Sequence, residues 1–456
     1  MRTWVAIAAT LGFAACLSQL VIDRSGALDA AANLHGLIAW FWIPFAIAWV
    51  ALTVLPKPMD RNPWAFSCLI IAVALIARLF VVFTTTPQLS DDIWRYIHDG
   101  QTLAAGESPY AFAPDEVEHA DDRINHPHLV TIYQPTSQWT FAALATVHDA
   151  IGGAWDLDGD RTFRLGFVLF DLCIVMLLLR KLRDVGRSPW FAAMYAWHPL
   201  AIAEVAGSGH QDVIGIALLL GTLLLFERRR MLLCGIALAL AVAVKPIVAP
   251  IALPLAWAMR RERAALACVF IGGVMGMIVL YVPFVLMPPG LSRLGETVDA
   301  FVGTWAFNGS IHALATWLLD KVAADRIAAG LSVVVLLVVT WRCDLWRAAM
   351  VWLFASLLLS STAHPWYLLW ALAFVPIAFS EAAWVWSATI VLSYFVLRDV
   401  NAWHLSPWVA GVEYVPVYGM LMVELLRHVW NAICQVPYAK CRMPNERHGG
   451  AINIRH

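Results

Sequence analysis

Charge is scarce in this chain. Asp, Glu, Lys and Arg make up 14% of its 456 residues, against about a quarter in soluble globular domains, which excludes an ordinary soluble enzyme. The net charge of −1 names no partner by electrostatics, and no nucleic-acid partner is expected. The eight cysteines, Cys16, Cys68, Cys173, Cys234, Cys268, Cys343, Cys434 and Cys441, form no CxxC pair and lie mostly in apolar runs. They read as buried small hydrophobes rather than as a disulfide framework or metal centre. Low-complexity sequence and internal repeats are absent, which weighs against transporters built from inverted repeats.

Apolar sequence is what the chain has in plenty: 61% of residues are hydrophobic and the mean hydropathy is +0.70. It falls into runs of about 15–24 residues, the length that crosses hydrocarbon as a helix. Spans are predicted near 4–22, 35–56, 64–86, 163–180, 189–205, 211–226, 231–245, 247–259, 264–287, 325–341, 346–361, 365–380, 382–398 and 408–427. The first, Trp4 to Ile22, reads as a retained span, since no convincing cleavage site follows it. The fold class is therefore an all-α polytopic transmembrane bundle of about 12–14 spans. It is expected to be one domain over 1–427, with an extracytoplasmic loop at 88–162 that carries interfacial helices, and a basic tail at 428–456. Twenty-three tryptophans suit anchoring at the membrane interfaces.

Lys and Arg set the orientation. Lys57 and Arg61, Arg180 to Arg187, Arg228 to Arg230, Arg260 to Arg263, Arg342 and Arg347, and the tail with Lys440, Arg442 and Arg447 all fall on one side if both termini are cytoplasmic. The unusual polar clusters then all face the other compartment, the periplasm or cell exterior of a bacterial inner membrane.

The first cluster is Ser90-Asp91-Asp92-Ile93-Trp94-Arg95-Tyr96-Ile97-His98-Asp99-Gly100. It reads as an interfacial helix with Ser90 as N-cap and both aspartates in the first turn. Arg95 is spaced to pair with Asp91 or Asp99. Charge so close to a bilayer is costly unless it has a task, and adjacent carboxylates suggest acid–base chemistry. Next come Glu107 to Tyr110, Asn125-His126-Pro127 and Tyr133-Gln134-Pro135, turn formers with groups able to meet sugar hydroxyls. Trp139 to Val147 is predicted as a second interfacial helix. The third cluster runs from Trp197-His198-Pro199 through Glu204 to Gly209-His210-Gln211-Asp212. Its side chains include ligand types, so a divalent metal is conceivable, but the spacing matches no zinc pattern; hydrogen bonding to an acceptor sugar or to the 90–100 helix is the better use. Lys245-Pro246 breaks an apolar run, with the lysine either snorkelling or holding an anion such as a lipid phosphate. His364-Pro365-Trp366-Tyr367 stands at the outer end of a span.

In this order and with this shared sidedness, the motifs resemble the GT-C superfamily of integral-membrane glycosyltransferases, most closely bacterial polyprenyl-phosphate-mannose-dependent α-mannosyltransferases. The likeness runs from about 64 to 380. It implies transfer of a hexose, mannose by preference, from a polyprenyl-phosphate sugar to a glycan, glycolipid or protein acceptor. The displacement would be inverting, with Asp91 or Asp92 as general base. Lys245, His364 and Arg95 would serve the leaving phosphate. Tyr96, Asp99, Tyr110, His126, Tyr133, Gln134, His198, Glu204, His210, Asp212, Trp366 and Tyr367 would line the substrate site. No cofactor is implied, beyond the divalent metal that some superfamily members use. The competing reading is a transporter or flippase of a lipid-linked or polar solute, for which charges should lie near the midplane rather than gather on one side.

Overall fold

The computed structural model describes residues 62–118, 121–151, 155–398 and 405–440, with Thr10, 41–43, 45 and 46. The two spans expected ahead of residue 62 and the tail past 440 lie outside the described residues, those few positions excepted. Among the described residues there is no strand, only isolated bridges from Phe307 and Asn308 to Thr362.

The helices are α1 (Pro63–Thr84), α2 (Asp92–Ala104), α3 (Pro135–Ile151), α4 (Asp160–Asp184), α5 (Asp212–Glu227), α6 (Met231–Val242), α7 (Ala252–Ala258), α8 (Arg263–Leu286), α9 (Ser292–Thr304), α10 (Ile311–Leu318), α11 (Lys321–Arg342), α12 (Leu345–Leu359), α13 (Glu381–Thr389) and α14 (Pro407–Lys440). Of these, α1, α4, α8, α11 and the Pro407–His428 part of α14 are long and apolar enough to cross a membrane. Their ends follow from sequence. Asn62 caps α1 by accepting the Ala65 N–H at 3.2 Å, with Pro63 in the first turn. Asp320 does the same for α11 through Ala323 at 2.8 Å.

The predicted spans at 64–86, 264–287 and 325–341 match helices to within a few residues. The predicted span at 189–205 does not form one helix. Pro199 interrupts the backbone ladder in its middle, and the run becomes a 3-10 turn, two short helical turns and a π segment over Ile202–Gly207. The run at 365–380 is likewise a 3-10 turn and one helical turn. The loop expected at 288–324 contains α9 and α10. The last helix continues past 427, because hydropathy marks where lipid ends and not where helical hydrogen bonds end.

Helix contacts use small residues, as in membranes generally. A Cβ on Gly235 of α6 would come 2.0 Å from the Val269 carbonyl oxygen of α8, so the two helices touch backbone to backbone. Deeper in, Arg78 of α1 pairs with Asp171 of α4, both fully buried, and Tyr195 donates to the same carboxylate at 2.6 Å. Removing one partner of such a pair costs about 3–5 kcal/mol.

The bundle has two distinct ends. At one, the basic loops meet: Lys181 with Glu227, Arg180 with Asp184, Arg229 with Glu262, Arg427 with Glu381. At the other lie α2, the start of α3, the 207–212 turn, the end of α6, and the segments 305–310 and 361–367.

Candidate active site

The site starts at α2. Asp91 occupies the cap position with its residue exposed, and the helix proper begins at Asp92. Ser90 is not the cap residue itself, but its hydroxyl accepts the Asp92 N–H at 3.3 Å. Ile93, Trp94, Ile97 and Leu103 are buried. Gly100 lets α2 lie against α3, since a Cβ there would stand 2.5 Å from the Phe141 carbonyl oxygen. Asp92 is thereby turned into the molecule. It receives Asn125 Nδ2 on Oδ1 at 2.8 Å and the Tyr96 hydroxyl on Oδ2 at 3.4 Å. Its side chain keeps 18% of its surface open. Burial pushes its carboxyl above the usual range; the Asn125 hydrogen bond opposes this, Asp212 adds to it, and the charge of Lys245 opposes it again.

The 202–212 segment supplies the facing wall. The π segment carries Glu204, whose Oε1 accepts the Tyr394 hydroxyl at 2.5 Å. Gly209 then turns the chain at φ 78°, a left-handed conformation that suits glycine, and a Cβ there would meet Ile93 at 2.6 Å and Arg164 at 3.0 Å. The turn brings His210 between two carboxylates, Nδ1 3.8 Å from Asp92 and Nε2 3.4 Å from Glu204. Neither ring nitrogen has a hydrogen-bond partner among the described residues. Buried polar atoms of this kind are costly and uncommon.

Lys245 follows the end of α6, where Pro246 stops the helix. Its Nζ donates to Asp212 at 2.7 Å and lies 3.3 Å from the centroid of the Tyr367 ring. Trp370 Nε1 donates to the same Asp212 oxygen at 2.6 Å. The start of α3 is tied to this corner: Thr136 N–H donates to the Ala243 carbonyl at 2.9 Å and Ser137 to Gln211 at 2.8 Å.

Four rings close the wall. His210 stacks on Trp366 at 3.9 Å, Trp366 on His364 at 4.3 Å, and His364 on Phe307 at 4.6 Å, all within 22° of parallel. Asp92, Glu204, His210, Asp212, Lys245, His364, Trp366 and Tyr367 thus form one connected cluster. Tyr133 joins it through an edge contact with Tyr96 at 4.8 Å. His126 sits at the rim, exposed, 4.5 Å from Trp305.

Other predicted site residues have different work. Arg95 pairs with neither Asp91 nor Asp99. Its guanidinium is spent on the carbonyls of Leu129, Asn125 and His126 at 2.9, 3.1 and 2.9 Å, which shapes the loop that carries Asn125. His198, expected near substrate, is 2% exposed and caps the turn after it: Nδ1 accepts Leu200 N–H at 3.1 Å and Nε2 lies 3.0 Å from the Ser387 hydroxyl. Asp99 is 1% exposed and holds Gln138 of α3 at 3.0 Å; burial raises its carboxyl, opposed by Arg95 and by Gln138. Tyr110 is fully buried and donates to the Tyr133 carbonyl at 2.7 Å. Gln134 accepts from Tyr281 of α8 at 2.9 Å. Among the described residues no three His, Cys, Asp or Glu side chains converge as a metal site, so the divalent ion raised by the sequence has no donor set there.

Sequence reading did not single out Phe307, Asn308, Trp305, Trp370 and Tyr394. Trp370 stands one helical turn after Trp366 and could have been found by that spacing; the others come from distant segments with no local signal.

With this geometry in place, the comparison with known families is informative. The model of the MptA_B family, alpha-(1->6)-mannopyranosyltransferase, N-terminal domain, matches residues 4–261. The chain belongs to this family. It is accordingly a membrane glycosyltransferase of the α-mannosyltransferase type, with a sugar donor and a glycan acceptor, and the transporter reading is set aside. No curated protein matches the chain. The matched portion of the enzyme holds Asp92, Asn125, Glu204, His210, Asp212 and Lys245; Phe307, His364, Trp366 and Tyr367 lie beyond it.

Proposed function

We propose that the enzyme transfers mannose from a polyprenyl-phosphate donor to a glycan at the outer face of a bacterial inner membrane, with inversion and with Asp92 as the base. The observation that carries the assignment to Asp92 over Asp91 is the contrast between them: Asp92 stands inside the cluster beside Asn125, Tyr96 and His210, whereas Asp91 is exposed.

The family's α-(1→6) linkage points to a primary C6 hydroxyl as nucleophile. Asp92 takes its proton as the new O–C1 bond forms. The bond from C1 to the phosphate oxygen breaks on the opposite face, through an oxocarbenium-like state. An α product by inversion requires a β-linked donor. The polyprenyl phosphate leaves with the electron pair, and the charge it carries is met by Lys245 and His364. Asp212, Trp370 and Tyr367 hold the lysine ready. The acceptor enters over His126 and Trp305, whose ring faces can stack on a pyranose.

The test is an assay of the reconstituted enzyme with radiolabelled polyprenyl-phosphate mannose, glucose and arabinose, run for the parent, Asp92→Asn and Asp91→Asn. Transfer from the mannose donor that is lost only in Asp92→Asn supports the reading; full activity of Asp92→Asn overturns the base. Orientation is tested separately: a cysteine at His126 should react with an impermeant maleimide from outside the cell, and one at Arg229 only after permeabilisation.

A further inference from the structure

Helix α14 takes no part in the mechanism above, yet it carries a carboxylate that is 0% exposed, Glu413. An ionisable group at that depth is expensive and is retained for a reason. Its Oε1 accepts Trp386 Nε1 at 2.8 Å and Asn308 Nδ2 at 3.0 Å. The neighbouring side chains reach the same place. Tyr414 donates to the Asn308 carbonyl at 2.5 Å, and Tyr418 to the Ser310 hydroxyl at 2.7 Å, which itself donates to the Leu358 carbonyl at 2.8 Å. One helix thus grips Asn308 and Ser310, either side of Gly309.

That segment needs gripping. Asn308 has φ 52°, a left-handed conformation that is uncommon for a residue with a Cβ. The amide of Asn308 has two protons; one goes to Glu413, and the other to the carbonyl of Ala363 at 3.2 Å, the residue before His364. Phe307 and the 361–363 strand-like stretch exchange backbone hydrogen bonds at 3.0 and 2.8 Å, and the Phe307 ring backs His364. A continuous chain of contacts therefore runs from Glu413 through Asn308 to the ring that limits the movement of His364.

We propose that Glu413 is a positioning residue of the active site: through Asn308 it fixes the 307–310 segment, and through Phe307 it holds His364 where the donor's phosphate is met. This rests on the reading of His364 as a phosphate ligand. Glu413 itself touches neither substrate.

The test uses the full-length enzyme in membranes with polyprenyl-phosphate mannose. Glu413→Ala orphans two buried donors, and the donor KM should rise about tenfold, since a lost buried partner is worth about that factor. The acceptor KM should stay at the parent value, a split that mere loss of stability would not produce. Glu413→Gln keeps an acceptor oxygen and should recover most of the donor affinity. Phe307→Ala leaves the carboxylate network alone, so it reads the same chain from its far end should Glu413→Ala not fold; it should raise the donor KM as well. In a double variant the two effects should not add. An unchanged donor KM in Phe307→Ala, a Glu413→Gln variant as impaired as Glu413→Ala, or an equal rise in both KM values overturns the inference. His364→Ala, run alongside, separates the two claims: an unchanged donor KM there removes the phosphate ligand, while a raised one with no donor effect at Glu413 or Phe307 removes the positioning role alone.

Discussion

The two ends of the bundle spend their charge in opposite ways. At the basic end, ions are matched and mostly wet: Arg229 with Glu262, Arg180 with Asp184 at 3.0 Å, Arg427 with Glu381 at 2.5 Å. The Lys181–Glu227 pair is capped by Trp346 at 2.7 Å. In the cluster at the other end, three enclosed carboxylates, Asp92, Glu204 and Asp212, share one cation, Lys245, although matched pairs such as Arg123 with Asp121 and Arg293 with Glu116 lie outside it. His210 faces Asp92 and Glu204 without a complete hydrogen bond to either, and Asp212 takes both Lys245 and Trp370 on a single oxygen. Matched pairs orient a protein in a membrane. Incompletely matched ones, held rigid, are what a bound substrate can complete.

This contrast can be broken or sharpened by substitution. The largest effect belongs to Asp92→Asn, expected to lower kcat by about 10²–10⁴-fold, the range of a positioned base, with Asp91→Asn near the parent in the same radiolabel assay. Lys245→Met should cost about 10²–10³-fold, as for loss of one preorganised charge donor, with partial return in Lys245→Arg. The pH profile comes next. A base works unprotonated, and burial raises the Asp92 carboxyl, so the acid limb of kcat/KM should fall away above the usual aspartate value of about 4 and vanish in Asp92→Asn. Trp305→Ala should raise the acceptor KM about three- to tenfold, the worth of one aromatic stack, and leave the donor KM alone. The smallest effect lies at the basic end: Arg229→Ala should change neither activity nor melting temperature measurably, because exposed pairs contribute little. A large loss of activity there would erase the distinction between the ends.

How much of this could be read beforehand depended on distance along the chain. Uninterrupted apolar runs such as Pro63–Thr84 and Arg263–Leu286 were legible, because lipid demands one length and one composition. The run at 189–205 was read as a span too, but it is less apolar and carries Pro199 in its middle, which composition does not report as a broken ladder. In the candidate cluster, Asp92, Glu204, His210, Asp212, Lys245, His364, Trp366 and Tyr367 were legible as polar or aromatic residues where polarity is expensive. His198 carried the same signal and proved to be a cap, since a buried histidine that satisfies a turn looks identical in sequence. The pairing of Asn308 with Glu413 was not legible: they meet across 105 positions, and neither residue names the other.

The ring stack joins material from both sides of residue 261. His210 belongs to the stretch matched by the family model, while Trp366, His364 and Phe307 follow it. On the proposed mechanism the base, Asp92, would therefore lie in the earlier part and the rings beyond His210 in the later one. A chimaera joined near residue 261 would have to rebuild this stack across the joint, so His210 and Trp366 must be inherited as a matched pair.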